Sequence, residues 1–157
     1  MNINLSEVRK KTVSASQYMH GLKHPFKEKF VTRKQTYQLK KETVNQLRKF
    51  ANNYYIVAFS AEWCKDCAGN IPVLALISEA TGLEVRIFGS LKKDPLSHTK
   101  KWKIPPSPPE AETFNVDKIP LIMVFDKKGE EIGKIIENPR EEPTLEEELL
   151  SIILRRH

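Results

Sequence analysis

The sequence predicts an α/β domain in which helices flank a central mixed sheet. Between residues 41 and 88 the patterns of a helix, a strand, a helix and a strand follow one another, and a β-hairpin and a final helix come later. A strand–helix–strand unit favours a parallel pair, whereas a hairpin adds antiparallel strands, so the sheet is expected to be mixed. A chain of 157 residues is long enough to bury its own core.

The composition excludes several classes of protein. Two cysteines in 157 residues cannot form a disulfide framework. The longest apolar runs, Ile56–Phe59 and Leu121–Phe125, have four and five residues, whereas a membrane-spanning helix needs about 20. The first residues contain no apolar signal core, so we expect a cytoplasmic protein that makes no membrane contact.

Charge is distributed unevenly along the chain. Residues 1–50 carry a net charge of +9, whereas residues 51–157 carry −3. We interpret residues 1–40 as a basic, mostly helical N-terminal extension whose lysines face solvent, and residues 41–157 as the main domain. Nucleic-acid binding is not expected, because no aromatic interleaving or nucleic-acid motif accompanies the charge.

Helical spacing is weak in the extension and stronger after it. Ser6–Met19 predicts one helix, and residues 26–38 predict a second, partly extended element. Val44, Leu47 and Phe50 lie at helical spacing and predict a helix over residues 41–52.

Three elements follow. The apolar run Tyr54–Ser60 is too short for a buried helix and predicts a central strand. Cys64–Thr81 predicts a helix that ends at Gly82. Leu83–Phe88 alternates apolar and polar residues and predicts the next strand.

The proline and lysine content of residues 91–110 predicts an insertion, with one short helix expected near Pro95–Trp102. Glu110–Val116 predicts another short helix. Leu121–Phe125 and Glu131–Ile136 predict a hairpin that turns at Gly129. Thr144–Glu147 matches a capping box that opens the final helix.

Both cysteines lie in the motif Trp63-Cys64-Lys65-Asp66-Cys67, between a predicted strand and a predicted helix. The N–H groups and dipole of a helix N-terminus favour a thiolate at Cys64. The two-residue spacing brings Cys67 close enough to resolve a mixed disulfide. We therefore expect Cys64 to be an exposed nucleophile and Cys67 a more buried resolving thiol.

A zinc half-site is the main alternative interpretation of the two cysteines. Tetrahedral zinc needs two further ligands, and His20 and His24 have the spacing of one helix face, although Gly21 lies between them. We expect no metal and no organic cofactor.

Val57–Cys67 resembles the active-site strand and turn of the thioredoxin family. Pro72 resembles the proline within that family's active-site helix, and Ile119-Pro120 resembles its cis-proline, which faces the disulfide. The resemblance covers roughly residues 41–154. It implies a thioredoxin-like three-layer sandwich with the helical N-terminal extension outside it.

The resemblance also implies the function of a thiol–disulfide oxidoreductase. Cys64 would attack a disulfide in a protein substrate, and Cys67 would release the reduced product. The substrate groove would be formed by Trp63, Ile119 and Pro120. A reducing cytosol favours substrate reduction, with an upstream thiol reductase as the expected electron donor.

The sequence departs from the family pattern at three places. Lys65-Asp66 replaces Gly-Pro between the cysteines, and Lys65 should favour the thiolate while Asp66 disfavours it. Ala58 replaces a buried carboxylate, for which Glu62 or Asp66 could substitute. Leu121, after the cis-proline, makes the groove more apolar.

Two other functions stay open from the residues alone. The basic extension and the insertion suit a protein-binding or adaptor module that uses the same groove without redox chemistry. A metal-binding module that uses Cys64 and Cys67 is the third possibility.

Overall fold

The computed structural model describes residues 2–91 and 107–157. The helices are α1 (Leu5–Lys11), α2 (Ala15–His20), α3 (Phe26–Thr36), α4 (Lys41–Arg48), α5 (Lys65–Thr81), α6 (Glu110–Thr113) and α7 (Leu145–Leu154). The strands are β1 (Val13–Ser14), β2 (Tyr54–Phe59), β3 (Glu84–Phe88), β4 (Leu121–Asp126) and β5 (Glu131–Ile136). Among the described residues, no helix is both long and apolar enough to span a membrane.

The five strands form one mixed sheet in the order β1-β3-β2-β4-β5. Strand β2 pairs in parallel with β3 and antiparallel with β4, and Val57 lies opposite Arg86 and Met123. Strands β1 and β5 pair antiparallel with β3 and β4. Every residue of β2 is buried, as expected for a central strand covered on both faces. The predicted mixed α/β sheet is confirmed.

Helices cover the sheet on two faces, because neighbouring residues of a strand point to opposite sides. On one face Phe59 stacks on Phe88, with ring centroids 4.8 Å apart, and Phe114 at the end of α6 packs edge-on against Phe59. On the other face Tyr54 contacts Phe50, which follows α4, and His157, which follows α7. The three-layer sandwich is therefore present.

Helix α5 ends where the sequence predicts and begins one residue later, at Lys65. Cys64 is its N-cap residue, and Gly82 ends it in the left-handed conformation with φ 83°. Glycine adopts that conformation without the steric cost that a Cβ atom adds. Pro72 lies inside the helix, where it cannot donate a backbone hydrogen bond.

The single helix predicted over Ser6–Met19 is wrong, because α1, β1 and α2 occupy this region. The carbonyl of Thr12 accepts a hydrogen bond of 2.7 Å from the Arg86 guanidinium instead of continuing the helix. Val13 and Ser14 then pair with β3. Ser14 and Gln17 form a complete capping box that begins α2.

The N-terminal 40 residues therefore contain helices, as expected, but they also supply the edge strand of the sheet. The segment after α3 is held by Glu146, a fully buried carboxylate of α7. Glu146 accepts hydrogen bonds from the Tyr37 hydroxyl at 2.6 Å and from the Lys40 backbone N–H at 3.0 Å.

The C-terminal elements also agree with the sequence prediction in outline. Strands β4 and β5 form the predicted hairpin, and Gly129 at its turn has φ 85°. Thr144 caps α7 by accepting the Glu147 N–H at 3.2 Å. Its hydroxyl also donates to the Glu147 carboxylate, so that carboxylate turns toward the hydroxyl instead of completing the predicted capping box. The helix predicted near Pro95–Trp102 lies outside the described residues.

We expect Glu146→Gln to lower the free energy of unfolding by about 1–3 kcal/mol, because the variant loses the charge that strengthens both hydrogen bonds. Its amide oxygen can keep the Lys40 N–H, but its NH₂ then forces the Tyr37 hydroxyl to accept instead of donate. Urea denaturation measures this change. Glu79→Gln is the matched control, since Glu79 is half exposed in its ion pair with Lys34 and such surface pairs contribute little. Equal losses in the two variants would contradict the role assigned to Glu146.

Candidate active site

Cys64 lies at the junction of the central strand and the longest helix. Its N–H donates to the Ala61 carbonyl at 3.2 Å, which closes the turn after β2. Its sulfur accepts the backbone N–H of Cys67 at 3.2 Å, as an N-cap side chain does. The two cysteines are unpaired thiols in this structure.

The environment of Cys64 favours its thiolate. A hydrogen bond from the Cys67 side chain lowers the pKa of Cys64 below its ordinary value, and the backbone N–H groups of Cys67 and Asp66 act in the same direction. Burial and the negative charge of Asp66 oppose this shift. The opposing effect of Asp66 agrees with the sequence prediction.

Cys67 has the opposite character. It is fully buried, and burial raises the pKa of its thiol far above the ordinary range, assisted by the neighbouring Cys64 sulfur. The Ala61 backbone and the Ser60 hydroxyl favour its thiolate but do not outweigh burial. The pair therefore consists of one activated thiol and one that holds its proton.

Cys64 is less exposed than the sequence suggested. Only 8% of its surface is accessible, against 0% for Cys67, so the expected order of exposure holds but Cys64 is itself nearly covered. The reason is the loop before β4, because the Cys64 thiol donates to the Ile119 carbonyl at 3.6 Å.

The Ile119–Pro120 peptide bond is cis, as the resemblance implied. The loop is held by its neighbours: the Pro120 carbonyl accepts the Glu137 N–H at 2.8 Å. The Asn70 side chain donates to the Glu137 carbonyl at 2.9 Å and to the Asp66 carbonyl at 2.8 Å. Asn70 thus links the first turns of α5 to the strand end that supports the cis-proline.

The other predicted site residues surround the motif at different depths. Trp63 is 50% exposed, and Lys65 is an exposed first residue of α5. Glu62 and Asp66 are partly buried. The structure therefore brings Ile119 against Cys64 and keeps Lys65 at the surface.

Two residues near the cysteines were not predicted as site residues. Ser60 is fully buried directly after β2, and its hydroxyl donates to the Tyr18 hydroxyl at 2.9 Å. Ser60 could have been noticed as the polar residue that ends an apolar strand beside the motif. Tyr18 carries no such signal, because it lies in the weakly patterned extension 42 residues away.

A cavity of about 880 Å³ lies beside the motif. Its lining includes Ala61, Glu62 and Trp63 from the active-site turn and Tyr18 from α2. The N-terminal segment therefore borders the same space as the cysteine motif.

His20 and His24 do not complete a zinc site with the cysteines. Across residues 2–91 and 107–157, no three His, Cys, Asp or Glu side chains are arranged to hold a metal ion. His24 instead pairs with Glu28 on the next turn.

The chain was compared with known families and structures. A family model described as thioredoxin matches residues 12–149, a range that includes β1, α2 and α3 besides the motif. This match begins nearer the N-terminus than the resemblance seen in the sequence motifs. Among curated proteins, no significant sequence match was found.

Two solved structures share the fold over nearly their whole length. A protein of unknown function, PA1234 from Pseudomonas aeruginosa, superposes with a TM-score of 0.74 at 15% identity, with 99% of each chain covered. An HIV epitope scaffold superposes with a TM-score of 0.71 at 14% identity, covering 98% of this chain and 99% of the scaffold. At these identities the likeness concerns the fold alone.

We expect Cys67→Ala to raise the pKa of Cys64, because the variant loses the side-chain hydrogen bond that contributes most to the lowered value. The backbone N–H of residue 67 remains, so the shift isolates the side-chain contribution. The pH dependence of thiolate absorbance in the ultraviolet measures it. An unchanged or lower midpoint would show that the Cys67 thiol does not stabilise the thiolate.

Asp66→Asn should shift the same titration in the opposite direction. The variant removes the negative charge that raises the pKa of Cys64 and keeps the backbone N–H that lowers it. The rate of iodoacetamide modification at different pH values reports the midpoint. Glu79→Gln, on the distal part of α5, is the control and should leave the midpoint in place; a rise in Asp66→Asn would contradict the assignment.

Proposed function

The chain belongs to the thioredoxin family, and on this premise we propose that it is a thiol–disulfide oxidoreductase that reduces disulfides in proteins. The observation that carries the proposal is the position of Cys64 at the N-cap of α5. There its sulfur accepts the Cys67 N–H at 3.2 Å and lies 3.6 Å from the Ile119 carbonyl. An N-cap sulfur is stabilised as the thiolate, the form that attacks disulfides.

The proposed reaction has two exchange steps. The Cys64 thiolate attacks one sulfur of the substrate disulfide, a bond forms between Cys64 and that sulfur, and the other substrate sulfur leaves as a thiolate that takes a proton from solvent. Cys67 then loses its proton and attacks the Cys64 sulfur. The second substrate sulfur leaves, and the two electrons of the dithiol have passed to the substrate.

The opposite pKa shifts of the two cysteines suit this order of events. Cys64 is ready to attack because its pKa is lowered, whereas Cys67 keeps its proton because it is buried. The dithiol therefore presents one nucleophile at a time, and Cys67 becomes reactive only after the mixed disulfide has formed beside it.

The surroundings of Cys64 suit an extended peptide substrate. Trp63, directly before Cys64, is half exposed, and the Cys64 thiol contacts the carbonyl of Ile119 in the cis Ile119–Pro120 loop. We assign substrate contact to Trp63, Ile119 and Pro120. After each turnover an upstream thiol reductase would reduce the Cys64–Cys67 disulfide back to the dithiol, in keeping with a cytoplasmic location.

We expect the protein to accelerate the reduction of insulin by dithiothreitol, and Cys64→Ser to abolish the acceleration. Precipitation of the freed insulin B chain measures the rate. Tyr37→Phe is the control and should retain activity. It removes a hydroxyl that is bonded to Glu146 and lies outside the motif. A wild-type rate equal to the dithiothreitol background, or full activity in Cys64→Ser, would refute the proposal.

Trapping separates this function from the alternatives. Cys67→Ser should retain substrate proteins through a disulfide to Cys64 that dithiothreitol releases. Partners that bind equally well when both cysteines are serine would instead indicate an adaptor module. Stoichiometric zinc or iron that is lost in Cys64→Ser would indicate a metal-binding module.

A further inference from the structure

The second exchange step requires a proton to leave a buried atom. Cys67 is 0% exposed, and burial holds its proton in place by raising the pKa of the thiol. The sulfur cannot attack Cys64 until this proton has gone, because the thiolate is the nucleophile. A path for the proton must therefore reach solvent through the protein groups around Cys67.

Two hydroxyl groups lead away from this sulfur, first that of Ser60 and then that of Tyr18. The Ser60 hydroxyl and the Ala61 backbone interact with Cys67 and favour its thiolate. Ser60 is itself fully buried, and its hydroxyl is 2.9 Å from that of Tyr18. Tyr18 lines the cavity of about 880 Å³ that also borders Glu62. The two hydroxyls thus connect the buried sulfur to an open space.

Tyr18 is held in this position by close packing. Its ring meets Phe30 edge-on, with centroids 6.1 Å apart. The ring also lies against Gly89, where an added Cβ atom would come within 2.8 Å of Cε1. The absence of a side chain at Gly89 therefore makes room for the Tyr18 ring. This packing restricts movement of the Tyr18 hydroxyl away from Ser60.

We propose that Ser60 and Tyr18 form a hydroxyl relay that carries the Cys67 proton to the cavity during the resolving step. Cys67 passes its proton to the Ser60 oxygen, Ser60 passes its own proton to the Tyr18 oxygen, and Tyr18 releases its proton to water in the cavity. Each hydroxyl ends with one proton, Cys67 ends as the thiolate, and the cavity gains one proton. The proposal rests on the proposed dithiol exchange.

The relay works through neutral hydroxyls. Burial raises the pKa of Tyr18, and the nearby Glu62 carboxylate and both cysteine sulfurs act in the same direction, so the phenol keeps a proton throughout. The titratable groups that act on Tyr18 along this path are Cys64, Cys67 and Glu62. Lys10, Lys11 and Lys23 line the cavity that receives the proton. Ser60 and Tyr18 do not touch the substrate in this scheme, and they act on it only through Cys67.

Stopped-flow reaction of the full chain with 5,5′-dithiobis(2-nitrobenzoate) separates the two exchange steps. Attack by Cys64 releases one thionitrobenzoate, and resolution by Cys67 releases the second. We expect Tyr18→Phe and Ser60→Ala to leave the first phase unchanged and to slow the second about tenfold or more, as for the loss of a proton-transfer group. Tyr37→Phe is the matched tyrosine control and should slow neither phase.

Two further readouts distinguish a relay from packing. The slowing should shrink as the pH rises, because hydroxide then removes the proton without the relay. The double variant should be no slower than Ser60→Ala, because two members of one series path do not add. Thermal unfolding verifies that each variant is folded, and Tyr18→Phe, which keeps the ring, tests the relay even where Ser60→Ala does not fold.

The relay would be overturned if both variants released the second thionitrobenzoate at the wild-type rate. It would also be overturned if the two phases were slowed equally at every pH. In either case a wild-type protein that releases two thionitrobenzoates would leave the dithiol exchange standing. Release of only one by the wild type would overturn the proposed exchange and the relay together.

Discussion

The position of Cys64 between a strand buried on both faces and the first turn of a helix is the constraint on which the site depends. Strand β2 is fixed by β3 on one side and β4 on the other, so the turn that follows it has little freedom. The Cys67 N–H then fixes the Cys64 sulfur. The reactive atom is therefore placed by backbone hydrogen bonds, and side chains such as Asp66 only adjust its charge state.

The N-terminal segment is joined to this frame by specific polar contacts. Arg86 of β3 donates a hydrogen bond to the Thr12 carbonyl. The Glu146 carboxylate of α7 accepts hydrogen bonds from the Tyr37 hydroxyl and the Lys40 backbone N–H. A buried carboxylate needs such partners, since an unpaired charge in the interior is costly. Tyr18, in the same segment, packs its ring against Phe30 and lies within hydrogen-bonding distance of Ser60.

The sequence predicted those features whose causes are local. The bounds of α5 follow from apolar spacing and from Gly82, and the motif itself placed Cys64 at a helix N-terminus. The break between α1 and α2 could not be predicted, because it depends on Arg86, 74 residues away from Thr12. The same reason hid Tyr18: its partner becomes a neighbour only when the sheet has formed. The near burial of Cys64 likewise comes from Ile119, 55 residues away.

The surroundings of Ala58 do not suit the buried carboxylate that the thioredoxin family has at this position. Ala58 is fully buried and lies between Ile87 and Ile122 on the neighbouring strands, where an ionised carboxylate would lose its hydration without a paired charge. Ser60 lies two residues further along the chain, on the same side as Ala58 by the alternation of an extended strand. In the proposed relay, the polar group beside the resolving thiol is Ser60, two residues nearer the end of the strand than Ala58. A neutral hydroxyl at this position avoids a buried charge and leaves β2 apolar up to Ser60.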